Sequence, residues 1–123
     1  MRELIENERG FIRSVAMRLD PAERDKLLHD LTTARVESIA YDDSLLVLHL
    51  DGYQRPAEWG QHTYPFEGTM RDMDGAVVDV LLLADAAHRL YQLEFVRYSD
   101  GPLLRPNWST LEIARRSTRQ GAK

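Results

Sequence analysis

The sequence predicts an α+β fold: an N-terminal helical hairpin packed on one face of an antiparallel sheet of about five strands. Three observations carry this. Apolar residues recur with a helical period from the N-terminus to about residue 31. From Arg35 onward the period changes to two. The strand-like runs are then joined by short turns rather than by helix-length crossovers, so sequential strands are antiparallel neighbours, and helices segregated to one side of such a sheet are a stable layer solution.

The first helix is expected over residues 2–19. Leu4, Phe11, Val15 and Leu19, with Ile5, Ile12 and Ala16, fall on one stripe. Glu8 interrupts the progression 4, 8, 11, 15. A carboxylate there either lies at the stripe edge or pairs with a buried base, and the rarity of unpaired buried Glu favours the edge. A second helix restarts at Asp20-Pro21-Ala22-Glu23, where Asp20 suits the N-cap, Pro21 the first turn and Glu23 a box-like cap. Leu27, Leu28 and Leu31 supply its buried side.

Arg35 to Tyr41 reads as a strand, Asp42-Asp43-Ser44 as a turn, and Leu45 to Leu50 as a central strand apolar on both faces. A loop from Asp51 to Gln61 carries Tyr53 and Trp59. His62 to Asp72 is a strand with Tyr64, Phe66 and Met70 on one face and Glu67, Thr69 and Arg71 on the other; Pro65 marks an edge or a bulge. Met73-Asp74-Gly75 is a three-residue turn with Gly75 in the left-handed conformation. The next hairpin pairs Ala76–Leu83 with Arg89–Val96 across Asp85-Ala86-Ala87-His88. Pairing Ala84 with Arg89 sets Val78, Val80 and Leu82 beside Phe95, Leu93 and Tyr91.

That register also puts Asp79 opposite Glu94 on the second face, with Glu67 nearby. Like charges directly opposite are mildly destabilising, so a basic partner is one explanation for them and a solvated sheet face is the other. Val77, Leu81, Leu83 and Leu90 are expected on the same face. Acidic groups among apolar neighbours suit a recognition surface. Alternatively the C-terminal tail covers it, since Ser109-Thr110-Leu111-Glu112 is a capping-box signature able to start a short helix. Residues 1–106 are then the single α+β domain and 107–123 a basic tail, ending in a frayed segment.

The totals narrow the function. The 123-residue chain is long enough for one core but not two. With 43% hydrophobic and 29% charged residues it is globular rather than disordered. It has no run long enough for a membrane helix, no signal-peptide pattern and no cysteine. A cytoplasmic location is the expectation, with no membrane association. Net charge is −4, yet Arg115, Arg116, Arg119 and Lys123 against Glu112 leave 12 basic and 19 acidic residues in 1–106. An acidic body disfavours nucleic acid as ligand and favours a basic protein partner.

Catalytic patterns are missing. No glycine-rich phosphate loop or nucleophile elbow occurs. His29, His49, His62 and His88 lack ligand spacing, so no metal or other cofactor is expected. An EF-hand loop begun at Asp72 would place Val77 at the glycine position and Leu83 at the terminal glutamate, so no calcium loop is present. Asp79 and Glu94 could act as an acid–base dyad only in a concave site, which a flat sheet face does not supply. Asn107-Trp108-Ser109 matches a glycosylation sequon without a sign of secretion.

Leu90-Tyr91-Gln92-Leu93-Glu94-Phe95-Val96-Arg97-Tyr98-Ser99-Asp100-Gly101-Pro102-Leu103-Leu104-Arg105-Pro106 resembles the closing segment of a family of short bacterial α+β proteins. Members end on an L-aromatic-E-L-D-hydrophobic-W-K-x-D-x-S-P-L-x-x-P pattern, after an Asp-Gly turn and an R-x-L-x-x-x-E helix. Arg2, Leu4 and Glu8 match that helix allowing for an offset, and Asp74-Gly75 matches the turn. Leu90, Leu93, Pro102, Leu103 and Pro106 match outright, and Glu94 and Arg97 match by charge. Gln92, Val96, Ser99 and Gly101 depart from the pattern. The resemblance implies a fold and says little about activity. In size, acidity and style the chain also resembles immunity proteins of bacterial toxin systems, including contact-dependent growth inhibition, which cap a toxin's nuclease site.

The expected function is therefore binding and neutralisation of a cognate, basic, nuclease-type toxin domain, with no reaction catalysed. Glu67, Asp79 and Glu94 would meet its Lys or Arg groups. Asp42, Asp43, Asp72 and Asp74 would extend the acidic rim, and Tyr53 and Trp59 would be aromatic anchors or else close the core. The alternative is a small-ligand-binding regulatory or housekeeping domain, favoured by a pocket containing Glu8 or His49. A small hydrolase would need convergent carboxylates or histidines in a cleft.

Overall fold

The computed structural model describes residues 1–116. The order is β1 (Arg2–Glu3), α1 (Glu6–Ala16), α2 (Pro21–Leu31), β2 (Arg35–Ser38), β3 (Leu45–His49), β4 (His62–Arg71), β5 (Val77–Ala84), β6 (Leu90–Arg97) and β7 (Asn107–Arg115). The α+β class and the N-terminal helical hairpin are as expected. Among the described residues the sheet has seven strands instead of about five, in the spatial order β1-β2-β3-β6-β5-β4-β7. Each neighbouring pair is antiparallel.

The two extra strands have separate causes. Arg2 and Glu3 pair with Val36 and Arg35 instead of opening the first helix, so that helix starts at Glu6. The segment 107–115 pairs with β4 as an edge strand. The short helix expected from Ser109 to Glu112 does not form, because Leu111 and Ile113 alternate with Glu112 and turn to the core side while Glu112 stays exposed. The expected fraying of Ser117–Lys123, and any covering of the sheet by that stretch, lie outside the described residues.

The helices cover one face of the sheet. Phe11, Ile12 and Val15 of α1 and Leu27 and Leu31 of α2 meet Leu46, Leu48, Val78, Val80, Leu82, Leu93 and Phe95, all buried. Gly68 of β4 leaves no room for a side chain: a Cβ there would lie 2.5 Å from Leu111, 2.7 Å from Val80 and 3.1 Å from Phe11 of α1. Trp108 closes this end, edge-on to Phe95 at 5.9 Å between ring centres. In α2, the Asp20 carboxylate accepts the Glu23 amide at 3.0 Å and Pro21 opens the helix, as the sequence indicates.

The turn between β4 and β5 also matches its sequence. Asp72 and Ala76 close it through a 2.8 Å backbone bond, and Gly75 sits at φ +90°. The β5–β6 hairpin differs in register. Asp85 pairs with Arg89, leaving three turn residues rather than four, with His88 at φ 63°. A bulge follows, because Leu83 faces Gln92 while Ala84 faces Leu90. Together the two changes slide β6 by two residues. Val80 therefore faces Phe95, and Leu82 faces Leu93. A slide of two preserves side-chain parity, so most side chains keep their expected face. Leu90, beyond the bulge, turns into the core and is fully buried.

Candidate functional site

Among the described residues no helix lies on the other face of the sheet. Its centre is built from alternate residues of β3, β6, β5 and β4, because the core-facing residues of those strands point to α1 and α2. Leu45, Glu94, Leu81 and Glu67 form one cross-strand row. Val96, Asp79 and Thr69 form the next. Val47, Gln92 and Leu83 lie on the far side of the first row. Leu45, Val47, Leu81, Leu83 and Val96 are all half-buried, so a face with an apolar centre is partly open to solvent.

Glu67, Asp79 and Glu94 share this face as expected, but not in the expected arrangement. Asp79 stands opposite Val96, and Glu94 opposite Leu81. The direct like-charge pair is removed by the hairpin's three-residue turn and bulge. Glu67 and Glu94 instead flank Leu81 across two strand spacings, about 10 Å. Asp79 accepts hydrogen bonds from Thr69 Oγ1 and the Tyr98 hydroxyl, both at 2.9 Å. That bond to Asp79 holds the Tyr98 phenol above its ordinary pKa. Glu67 binds Arg116 at 2.7 Å. Glu94 has no hydrogen-bonding or ionic side-chain partner among the described residues.

The turn aspartates are placed otherwise. Asp72 is 2% exposed and does not lie on an acidic rim. It accepts the amides of Met73, Leu104 and Arg105 and binds Arg97 at 2.8 Å. Burial alone would raise its pKa, but the backbone amides and Arg97 outweigh that and lower it. Asp74 chelates the same guanidinium at 2.7 and 2.9 Å, and this pair holds its pKa down to about 2. Asp42 accepts the Ser44 and Leu103 amides, and Asp43 the Ser38 hydroxyl. Tyr53 is also structural: half-buried, it packs on the core and donates to Asp85 at 2.7 Å. Trp59 is 87% exposed and remains a free aromatic in the loop.

Sequence reasoning missed a set of buried carboxylates, each with its own arginine. Glu8, 3% exposed, accepts from both terminal nitrogens of the exposed Arg2 and from the Ile5 amide, so it is a buried carboxylate capped by a surface arginine rather than an edge residue. Asp30 pairs with Arg89, and Asp85 with Arg55. Asp30 could have been found from its place between Leu27 and Leu31 on the buried stripe of α2. A cleft of about 910 Å³ opens beside the Arg2–Glu8 pair, floored by Leu46, Phe95 and Trp108 and rimmed by Asn7 and Arg105. His62 and His88, unrelated in sequence, meet at 3.0 Å between ring nitrogens. Among the described residues no three His, Asp or Glu converge to hold a metal ion. No described helix is long and apolar enough to cross a membrane.

A family model described as a domain of unknown function (DUF6984) matches residues 1–107. The chain belongs to that family. The match runs from β1 through β6 and its following loop, and ends where β7 begins. It therefore takes in the central strands of the uncovered face and the four carboxylate–arginine pairs at Glu8, Asp30, Asp72 and Asp85, and all of the cleft lining except Trp108 and Ser109. No curated protein and no solved structure matches the chain.

Proposed function

We propose that this chain is a cytoplasmic binding protein that docks a basic protein domain on the uncovered face of its sheet. The partner we infer is a cognate toxin domain of nuclease type, neutralised by occlusion without catalysis. The observation that carries the reading is the central row of that face, where Leu81 lies between Glu67 and Glu94 with Asp79 alongside. Apolar area at the centre of a docking surface supplies affinity, and carboxylates beside it select Lys or Arg on the partner. The acidic excess of residues 1–106 would speed encounter with such a partner. Trp59 can add an aromatic contact from the loop.

The test begins with this chain as bait and mass spectrometry of what it retains. The C-terminal piece of a large secreted protein is the expected partner. Binding is then measured with purified partner against the double variant Asp79→Lys/Glu94→Lys. Reversing two charges inside a desolvated interface should weaken binding by about 100-fold or more, with circular dichroism unchanged. Unchanged affinity would remove this face from consideration.

A second reading has its own support. The cleft beside Glu8 has an aromatic floor and polar rim suited to a small molecule. A thermal-shift screen that finds a stabilising metabolite, with the shift abolished by Trp108→Ala, would move the site there.

A further inference from the structure

The sheet ends on one side at the two-residue β1 and on the other at the nine-residue β7. Among the described residues no strand lies beyond β7. The phase of its ladder follows from one bond. The Arg116 amide donates to the Pro65 carbonyl, so Pro65 and Arg116 occupy a hydrogen-bonded position of the antiparallel pair. Such positions alternate. Ala114 and Glu112, opposite Glu67 and Thr69, therefore direct their backbone groups at β4. Ile113 and Arg115 direct theirs at the open edge. Long edges of this kind are ordinarily blunted by proline, lysine or shortness. Asn107–Arg115 contains neither residue.

We propose that β7 pairs antiparallel with β7 of a second copy of this chain, joining two sheets across a two-fold axis. The edge is self-complementary. A two-fold axis perpendicular to the sheet keeps each face in register, so residues of equal parity oppose one another. When Ile113 of one copy faces Arg115 of the other, their outward backbone groups are the ones that exchange hydrogen bonds. The small, exposed Ala114 then lies on the axis. Glu112 stands opposite Arg116, twice by symmetry. Both belong to the outer face, since Glu112 sits opposite Thr69 and Arg116 reaches Glu67. Opposite charges directly facing each other across strands stabilise the pairing. The edge adjoins the docking row at Glu67, which lies opposite Ala114, but the dimer uses the β7 backbone with Glu112 and Arg116 and not Asp79 or Glu94, so the two readings fail to different variants.

The test is sedimentation velocity of the full chain over a micromolar concentration series, with circular dichroism as the folding control. The expected result is a concentration-dependent dimer. Arg115→Pro removes an edge-facing amide and leaves the β4 ladder bonds in place, so a folded monomer is expected. Glu112→Arg, on an exposed position, turns two attractive pairs repulsive and should weaken the dimer about tenfold or more. Should Arg115→Pro fail to fold, Glu112→Arg alone decides. Asp79→Lys/Glu94→Lys should leave the dimer intact. A wild-type chain that is monomeric throughout the series, or a dimer unmoved by Glu112→Arg, overturns the proposal.

Discussion

Glu8, Asp30, Asp72 and Asp85 are each at most 3% exposed, and each meets an arginine from another element or turn. Such pairs hold loops against the sheet, because a buried carboxylate left without partners is costly. Asp72 is the sharpest case. Its oxygens fasten the 103–105 loop through the Leu104 and Arg105 amides and also anchor Arg97. Asp72→Ala should destabilise the fold by about 3 kcal/mol, the scale of breaking a buried pair and stranding its donors. A urea midpoint shift reads this directly, and a change below about 1 kcal/mol would mean that water replaces the carboxylate. These roles were only partly legible in the sequence. Glu8 stood out because it broke an apolar progression, but its partner Arg2 is six residues away on a strand whose pairing depends on Val36. Asp72 lay in a turn, where aspartate is explained by turn chemistry alone.

At the scale of elements, the helices and most strands were readable because each shows its own period over several residues. The β5–β6 register was not, since it depends on two single-residue choices, the turn length and the bulge beside Ala84. They sum to two, so the faces came out right while the cross-strand partners did not. β7 was misread for a different reason. Ser109 and Glu112 have capping-box spacing, and only the long-range pairing with β4 shows that Leu111 and Ile113 act as alternating strand residues. β7 is consequently part of the domain's packing and not a detachable tail. Ending the chain after Pro106 removes Trp108, Leu111 and Ile113 from the core margin. Three partly buried large side chains correspond to about 5 kcal/mol. The truncated chain should therefore melt far below the full chain or fail to give a cooperative transition. A truncated chain that melts like the full one would return β7 to the status of an appendage.

For the molecule as a whole, the acidic excess divides into carboxylates held by hydrogen bonds or arginines of the fold and carboxylates left without such partners among the described residues. Asp42, Asp72, Asp74 and Asp85 belong to the first group, and each has a pKa held below the ordinary aspartate value of 3.8. For Asp74 the Arg97 pair is the main cause, and its pKa falls to about 2. For Asp72 and Asp85 burial pushes upward, and hydrogen bonds from backbone and side-chain donors more than offset it. The direction fixes the pH dependence. A group whose pKa is lower folded than unfolded binds more protons when unfolded at acid pH, so its stabilisation is complete above the unfolded value. It is lost as the pH falls through the folded value. Thermal melts should therefore show no loss from these four groups between neutral pH and about 5, then a steep decline from about 4 towards 2. The Asp72→Ala chain should decline less steeply over that acid range, because one of the four linked groups is gone. If its melting temperature instead tracks the parent in parallel down to the lowest pH, Asp72 contributes nothing to the acid limb, and the decline belongs to the other three.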